Sequence, residues 1–192
     1  MRITGGQARG IPLLVPKGES VRPATDAMRQ AVFSSIAAWL PDANFLDLFA
    51  GSGAYGLEAV SRGAAAGVFV EKEPKTAAFI RQNITSVCRS FGRPESDYRV
   101  INADVLSVPF GSILLPDLVF IDPPYALIAE VAPKLFSDLN ALFAEKADPL
   151  VVFEMPGELT ISPEGWTCVK RLGKGARQPT VCVFRTNRAL IG

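Results

Sequence analysis

A mostly parallel α/β sheet closed by an antiparallel hairpin is the fold that this chain of 192 residues predicts. Short apolar runs alternate with amphipathic stretches from residue 45 onward. The first of these runs, 45–49, opens directly into the glycine turn Gly51-Ser52-Gly53. The last two runs are joined by a turn rich in Gly, Lys, Arg and Pro. Alternating strands and helices imply parallel strands whose crossovers cover both faces of one sheet.

Taken in order, residues 1–24 hold four glycines and three prolines around the apolar piece Ile11–Val15, and read as an extended arm or hairpin. Thr25 or Asp26 can cap the helix that follows. Met28, Val32, Phe33, Ile36, Trp39 and Leu40 form its apolar stripe, and Pro41 stops it. Strands are expected at 45–49, 66–71, 99–103, 117–121 and 149–154, with helices at about 54–62, 74–90 and 127–145. The runs 166–172 and 180–185 form the closing hairpin. The chain thus divides into an N-terminal extension, 1–41, and an α/β domain, 42–192.

Composition narrows the chemistry. With 48% hydrophobic residues the chain can bury a full single-domain core. No stretch approaches the roughly 18 uncharged apolar residues of a membrane span, and the N-terminus lacks an apolar signal core. Cys88, Cys168 and Cys182 have no paired spacing, so a disulfide framework or zinc site is not expected and a cytoplasmic location fits. Histidine is absent, which removes Ser-His, Cys-His and His-ligated metal chemistries. Charge is uneven: residues 1–30 carry five basic side chains against two acidic, and residues 165–192 carry six basic and no acidic. Basic ends on an acidic body suit a phosphate-binding rim, with solvated tails as the plainer alternative.

Gly51-Ser52-Gly53-Ala54-Tyr55-Gly56 matches the G-x-G-x-x-G pattern between a strand and a helix. Glu71, at the end of the second strand, is placed to accept from two ribose hydroxyls. These features fit NAD and S-adenosylmethionine about equally, since both carry an adenosine. Asp47, inside the first strand, shifts the balance: it suits an ammonium or sulfonium and would repel a pyrophosphate. Asp104 can accept from the adenine amine, with Val105 flanking the ring. Phe49, Ala50 and Lys72 adjoin these positions and complete the expected cofactor contacts. Asp47, Glu71, Asp104 and Asp122 would all lie near one carboxyl edge of the sheet, where open α/β folds bind ligands.

Asp122-Pro123-Pro124-Tyr125 follows the apolar run Leu118–Ile121. It can terminate a strand and no more, but the residue types suit a flat amine. The Asp122 carboxylate and a proline carbonyl can accept both N–H bonds, while Tyr125 stacks on the ring. An exocyclic base amine is a poor nucleophile because its lone pair is delocalised. Two acceptors free that lone pair for in-line attack, and the carboxylate offsets the charge that builds on nitrogen. The released proton goes to Asp122 or to water. These residues therefore imply an amine methyltransferase using S-adenosylmethionine.

The chain resembles, over nearly its full length, the bacterial 16S ribosomal RNA guanine-N2 methyltransferases of the RsmD family. The resemblance is carried by Arg2–Gly10, Arg22-Pro23-Ala24-Thr25-Asp26, Leu46–Gly53, Gly56–Ala59, Ser61–Ala64 and Asp122–Tyr125. It implies a class I methyltransferase sheet of seven strands and methylation of a guanine N2 on the small ribosomal subunit or its precursor. The target base must leave its stack, and Tyr125 would receive it. The extension would then contact RNA through Arg2, Arg9, Arg22 and Arg29, with Lys174 and Arg177 of the last turn beside it. The chain departs from the family at Asp26-Ala27-Met28-Arg29-Gln30 and Arg177-Gln178-Pro179-Thr180. A monomer is expected. The alternatives are an adenine-N6 methyltransferase of DNA or RNA, a non-catalytic RNA-binding assembly factor and, more distantly, an NAD dehydrogenase.

Overall fold

The structure, a computed structural model, describes residues 1–15, 25–173, 175 and 178–191. Seven strands form one sheet: β1 (Asn44–Leu48), β2 (Ala66–Glu71), β3 (Tyr98–Asn102), β4 (Leu118–Ile121), β5 (Leu150–Pro156), β6 (Trp166–Leu172) and β7 (Pro179–Thr186). Their order is β3-β2-β1-β4-β5-β7-β6. The first five pair in parallel, whereas β7 runs antiparallel to both β5 and β6. Among the described residues four α-helices accompany the sheet: α1 (Asp26–Ser35), α2 (Ala54–Ser61), α3 (Pro74–Phe91) and α4 (Ile128–Leu142). The strand order reverses between β1 and β4, the switch point at which such sheets open a crevice.

Side chains alternate along each strand, so one set of positions faces each layer. Phe45, Phe69, Leu118, Phe120, Leu150 and Val152 pack with Val32, Phe33, Leu57 and Ile80 on one face. Leu46, Val119, Ile121, Val151 and Phe153 pack with Val131, Leu135, Phe136 and Leu139 of α4 on the other. The first face is unusually aromatic, with Phe120 against Phe33 at 5.5 Å and Phe45 edge-on to Phe69 at 5.2 Å.

The arm folds back on itself and onto α2. Ile3 and Ile11 share a backbone bond of 3.0 Å, and Gly10 N–H returns to the Ile3 carbonyl at 2.9 Å. Thr4 donates through its N–H and its hydroxyl to the buried Glu58 carboxylate, at 2.8 and 2.7 Å. Arg62 neutralises that carboxylate from one helical turn away, at 2.8 Å. At Gly6 a side chain is impossible: φ is 75°, and a Cβ would lie 2.0 Å from the Ser61 carbonyl oxygen. Ile3, Ala8 and Leu13 thereby join the core that α1 and α2 share.

One boundary differs from expectation. The apolar stripe predicts a single helix to Pro41, but α1 stops at Ser35 and a 3-10 turn spans Ala37–Trp39. Tightening the last turn lets both Ile36 and Leu40 bury, while Trp39 keeps partial exposure. Thr25 is the cap, its hydroxyl accepting from Met28 N–H.

Candidate active site

The glycine turn is built by backbone strain and one carboxylate. Phe49 has φ of 59°, a left-handed conformation rarely adopted by a residue with a side chain, and Gly51 follows at 53°. Glu71, at the end of β2, accepts from Gly51 N–H at 2.9 Å and from Glu73 N–H at 2.8 Å. A Cβ on Gly51 would find its nearest neighbour 3.9 Å away, so the turn presents open backbone there. At Gly53 the same atom would meet Ile80, Leu57 and Phe69 at 3.2–3.3 Å, closing the turn on its inner side. Ala50 N–H is anchored to the Val70 carbonyl at 3.0 Å.

Asn83 of α3 also holds this turn. Its buried amide donates to the carbonyls of Ser52 and Leu14, at 2.9 and 3.0 Å, and accepts from Leu14 N–H at 2.8 Å. Arm, glycine turn and α3 are thus tied by one side chain. Only a polar residue among the apolar positions of a helix signals it in the sequence.

Asp47 lies beneath the turn, 2% exposed, and accepts from Gly56 N–H at 2.9 Å. Burial lifts its carboxyl to about 8, against the pull of that N–H bond, and Glu71 adds repulsion. Asp104 sits at the rim instead. Its carboxylate takes bonds from Lys72 at 2.8 Å and Leu106 N–H at 3.0 Å, and these hold it below its ordinary range. Val105 beside it is buried.

Strand β4 delivers Asp122 to the same edge. The Pro124 carbonyl is used within the loop, accepting from Leu127 N–H at 2.8 Å. The Pro123 carbonyl is engaged by no described residue, so it is the one available beside Asp122. Tyr125 opens a 3-10 turn and is 44% exposed, leaving a ring face for stacking. Its hydroxyl is pushed up to about 12, first by burial and then by the carboxylates of Glu154, Asp122 and Glu158.

Glu154 is a residue that motif reading missed. It lies near the end of β5, 2% exposed, and its Oε2 accepts from the Tyr55 hydroxyl at 2.8 Å. Ile121 pairs with Phe153, so one further step of the same register sets Asp122 beside Glu154. Burial raises Glu154 to about 7, while the Tyr55 bond and Arg29 pull it down. Asp122 is raised well above the carboxylate range by burial and by repulsion from Glu154 and Asp47. The sequence does carry a signal: a lone acid closing the apolar run Leu150–Phe153, as Asp122 closes Leu118–Ile121.

The expected RNA contacts fare unequally. Arg2 and Arg9 are exposed, Arg2 lying 3.6 Å from Asp26. Arg29 is a correction: it is 1% exposed and donates to the Arg2 carbonyl at 2.8 Å and to Asp26 at 2.6 Å. The apolar stripe of α1 carries it into the core, where it faces Tyr55 and Glu154 rather than solvent. Arg22, Lys174 and Arg177 lie outside the described residues. Three of the C-terminal cations are structural ties: Arg185 grips Asp148 with two bonds of 2.8 Å, Arg171 donates to the Gly157 and Leu159 carbonyls, and Arg188 donates to that of Phe143.

A cofactor carrying ribose, adenine and an ammonium group fits these residues. Glu71 has both carboxylate oxygens at the turn, Gly51 offers unobstructed backbone, and Asp47 supplies a buried acid. Comparison with known proteins agrees. The family model described as "Conserved hypothetical protein 95" matches residues 1–183. Ribosomal RNA small subunit methyltransferase D of Escherichia coli K12 is 34% identical over 168 residues, covering 87% of this chain and 81% of its own. The protein of that name from Haemophilus influenzae is 33% identical over 180 residues, covering 91% and 89%. Among solved structures, a hypothetical protein of Thermus thermophilus superposes with a TM-score of 0.73 at 32% identity, covering 95% of this chain and 98% of its own. The yhhF protein of Escherichia coli does so at 0.72 and 28%, covering 97% of each. The extent of these matches, with a seven-stranded sheet whose last strands run antiparallel, places the chain in the family of ribosomal RNA small subunit methyltransferase D, on the class I S-adenosylmethionine-dependent methyltransferase fold.

Proposed function

We propose that this protein methylates the exocyclic N2 amine of a guanine in 16S ribosomal RNA, acting in the cytoplasm as a monomer on the small subunit or its precursor. Ribosomal RNA methylation is the activity to which the names of its relatives point. The observation that carries the choice of an amine is the Asp122–Tyr125 loop at the switch point. It offers a carboxylate, an adjacent carbonyl and an exposed ring within one turn of chain.

When bound, the cofactor supplies an electrophilic methyl group on a sulfonium centre. The rest falls to the chain. Gly51, Gly53 and Glu71 hold the nucleoside end, and Asp47 lies where an ammonium group would lower its carboxyl again. Tyr125 stacks on the everted base. Asp122 and the Pro123 carbonyl accept the two N–H bonds, which turns the nitrogen lone pair toward the methyl. Carboxylate charge beside the nitrogen stabilises the transition state more than the ground state, because positive charge appears there only during transfer.

The test is transfer of labelled methyl from S-adenosylmethionine to small ribosomal subunits from a strain lacking this enzyme, followed by nucleoside analysis. The expected label is N2-methylguanosine. Asp122→Ala abolishes it while leaving cofactor affinity within a few-fold, since the lost interaction is made at the amine. Label in N6-methyladenosine would move the target to adenine, and RNA binding without any transfer would favour an assembly factor.

A further inference from the structure

Beneath the amine site lie Glu154, Tyr55 and Arg29, which the reaction as described does not use. Alternation along the strands puts Asp47, Asp122 and Glu154 on the same face as Phe45, Phe120 and Val152. That face is covered by α1 and α2, which contribute Arg29 and Tyr55. Glu154 is therefore sealed from solvent, bonded to Tyr55, and one strand away from Asp122, a separation of about 4.8 Å between backbones. Across β7 its register partner is the uncharged Val181. Among the described residues, the charged or titratable groups that act on the pair are Tyr55 from α2, Arg29 from α1, Asp47 from β1 and Tyr125 from the loop after β4.

We propose that Glu154, held by the Tyr55 hydroxyl, is a positioning residue that acts through Asp122. Repulsion makes the two carboxylates share one proton, so that Asp122 receives the proton which the methylated amine gives up. This rests on the amine-methylation reading above. A buried carboxylate and a half-buried one on neighbouring strand ends cannot both hold full charge without cost, and they titrate as a unit. The raised carboxyls of both residues accord with that geometry. In the transfer step the nitrogen–carbon bond forms as the carbon–sulfur bond breaks, the electron pair of the latter staying on sulfur. The cationic nitrogen then releases one N–H proton to the Asp122 carboxylate, which becomes the carboxylic acid. Glu154 shares that proton before it passes to solvent water. Without its neighbour, Asp122 would be a weaker base toward the amine.

The experiment has two arms. In the first, methyl transfer to small ribosomal subunits is followed against pH for the wild type and Glu154→Gln, which keeps the volume and an oxygen for Tyr55. The acid limb of kcat is expected to move down by roughly one unit or more as the repulsion disappears, and the plateau to fall about tenfold as Asp122 loses basicity. A purely structural role would lower the plateau and leave the limb where it is, and that result overturns the proposal. The second arm uses no RNA and no methyl transfer. Carbon-13 carboxyl titration of the wild-type protein should show the pair losing its protons in two separated steps, with the Glu154 step falling in Asp122→Asn. One ordinary carboxyl step for both residues overturns the proposal. If the wild type forms no methylated guanine, the substrate reading fails, and the titration still decides the carboxylate pair.

Discussion

Gly56→Ala sets two effects of known size against each other. Gly56 lies in the first turn of α2, where replacing glycine by alanine ordinarily stabilises a helix by about 1 kcal/mol. Here the new Cβ would lie 2.3 Å from Cε1 of Phe69 and 2.6 Å from Cε2 of Phe45, against an ordinary contact distance of 3.4 Å or more. One ring or the helix must retreat by about 1 Å. The rings cannot: Phe69 is fully buried, and Phe45 is bracketed by Phe69, Tyr98 and Phe120. Overpacking of this kind costs roughly 1–3 kcal/mol; less the propensity gain of about 1 kcal/mol this leaves a net loss of about 0–2 kcal/mol, and the two short ring contacts put it in the upper half of that range. In urea the midpoint should fall by about 0.5–1 M. Because α2 starts at the glycine turn and Gly56 N–H holds Asp47, methyl transfer should fall further than stability alone requires, about 100-fold. Adding Phe69→Leu should recover about 1 kcal/mol of the loss, a coupling that only direct contact produces. A midpoint that rises, or two substitutions whose effects simply add, would refute the tight packing of α2 on these rings.

Three further outcomes follow from the same geometry. Glu71→Ala should weaken S-adenosylmethionine binding at least ~100-fold by calorimetry, since it removes two charge-assisted bonds worth about 1.5–3 kcal/mol each; an unchanged dissociation constant would place the ribose elsewhere. Asp47 holds its proton to about 8 in the folded protein against an ordinary 3.8, so it contributes stability that is full below about 4 and lost as pH rises toward 8. Glu154 acts in the same sense up to about 7, and the urea midpoint should therefore decline across this window, with Asp47→Asn flattening the slope; an identical slope in that variant would mean Asp47 is ionised throughout. Arg9→Ala, at the exposed tip of the arm, should lower RNA affinity and reduce the salt slope by about 1; an unchanged slope would assign the tip to structure.

How much of this was legible in the chain depended on whether a feature was local. Strand β6 and the turn at Gly51–Gly53 are written in consecutive residues, through a short run ended by a turn rich in Gly, Lys, Arg and Pro and through glycine spacing, and they appear where those signals put them. The sharing of one edge by Asp47, Glu71 and Asp122 was also legible, because Glu71 and Asp122 close apolar runs, Asp47 lies near the end of another, and parallel strands end together. Arg29 was misplaced because its role depends on a distant element. A cation near the start of a helix in a basic extension suggests solvent and phosphate, and nothing local reveals that Phe33 and Val32 carry it into the core beneath Tyr55 and Glu154. Glu154 was overlooked for the converse reason: its run resembles any buried strand, and its importance comes from the neighbour that topology gives it.

That neighbour relation also explains why the site tolerates so much buried acid. Three clustered carboxylates beside fewer cations than charges would ordinarily be ruinous inside a fold. Here each is relieved by something other than full pairing. Asp47 takes the Gly56 N–H, Glu154 takes the Tyr55 hydroxyl with Arg29 behind it, and Asp122 keeps a partly open position at the mouth. What remains unrelieved is basicity, and it is concentrated at the two acids to which the proposed function gives the amine and the cationic cofactor. On the proposed function a cationic cofactor would bring positive charge to Asp47 and an amine would bring its N–H bonds to Asp122, so each ligand would relieve part of the carboxylate–carboxylate repulsion that keeps the other's acceptor protonated. Binding of cofactor and RNA should therefore be mutually favourable through the carboxylates alone, with the same coupling measured in either order.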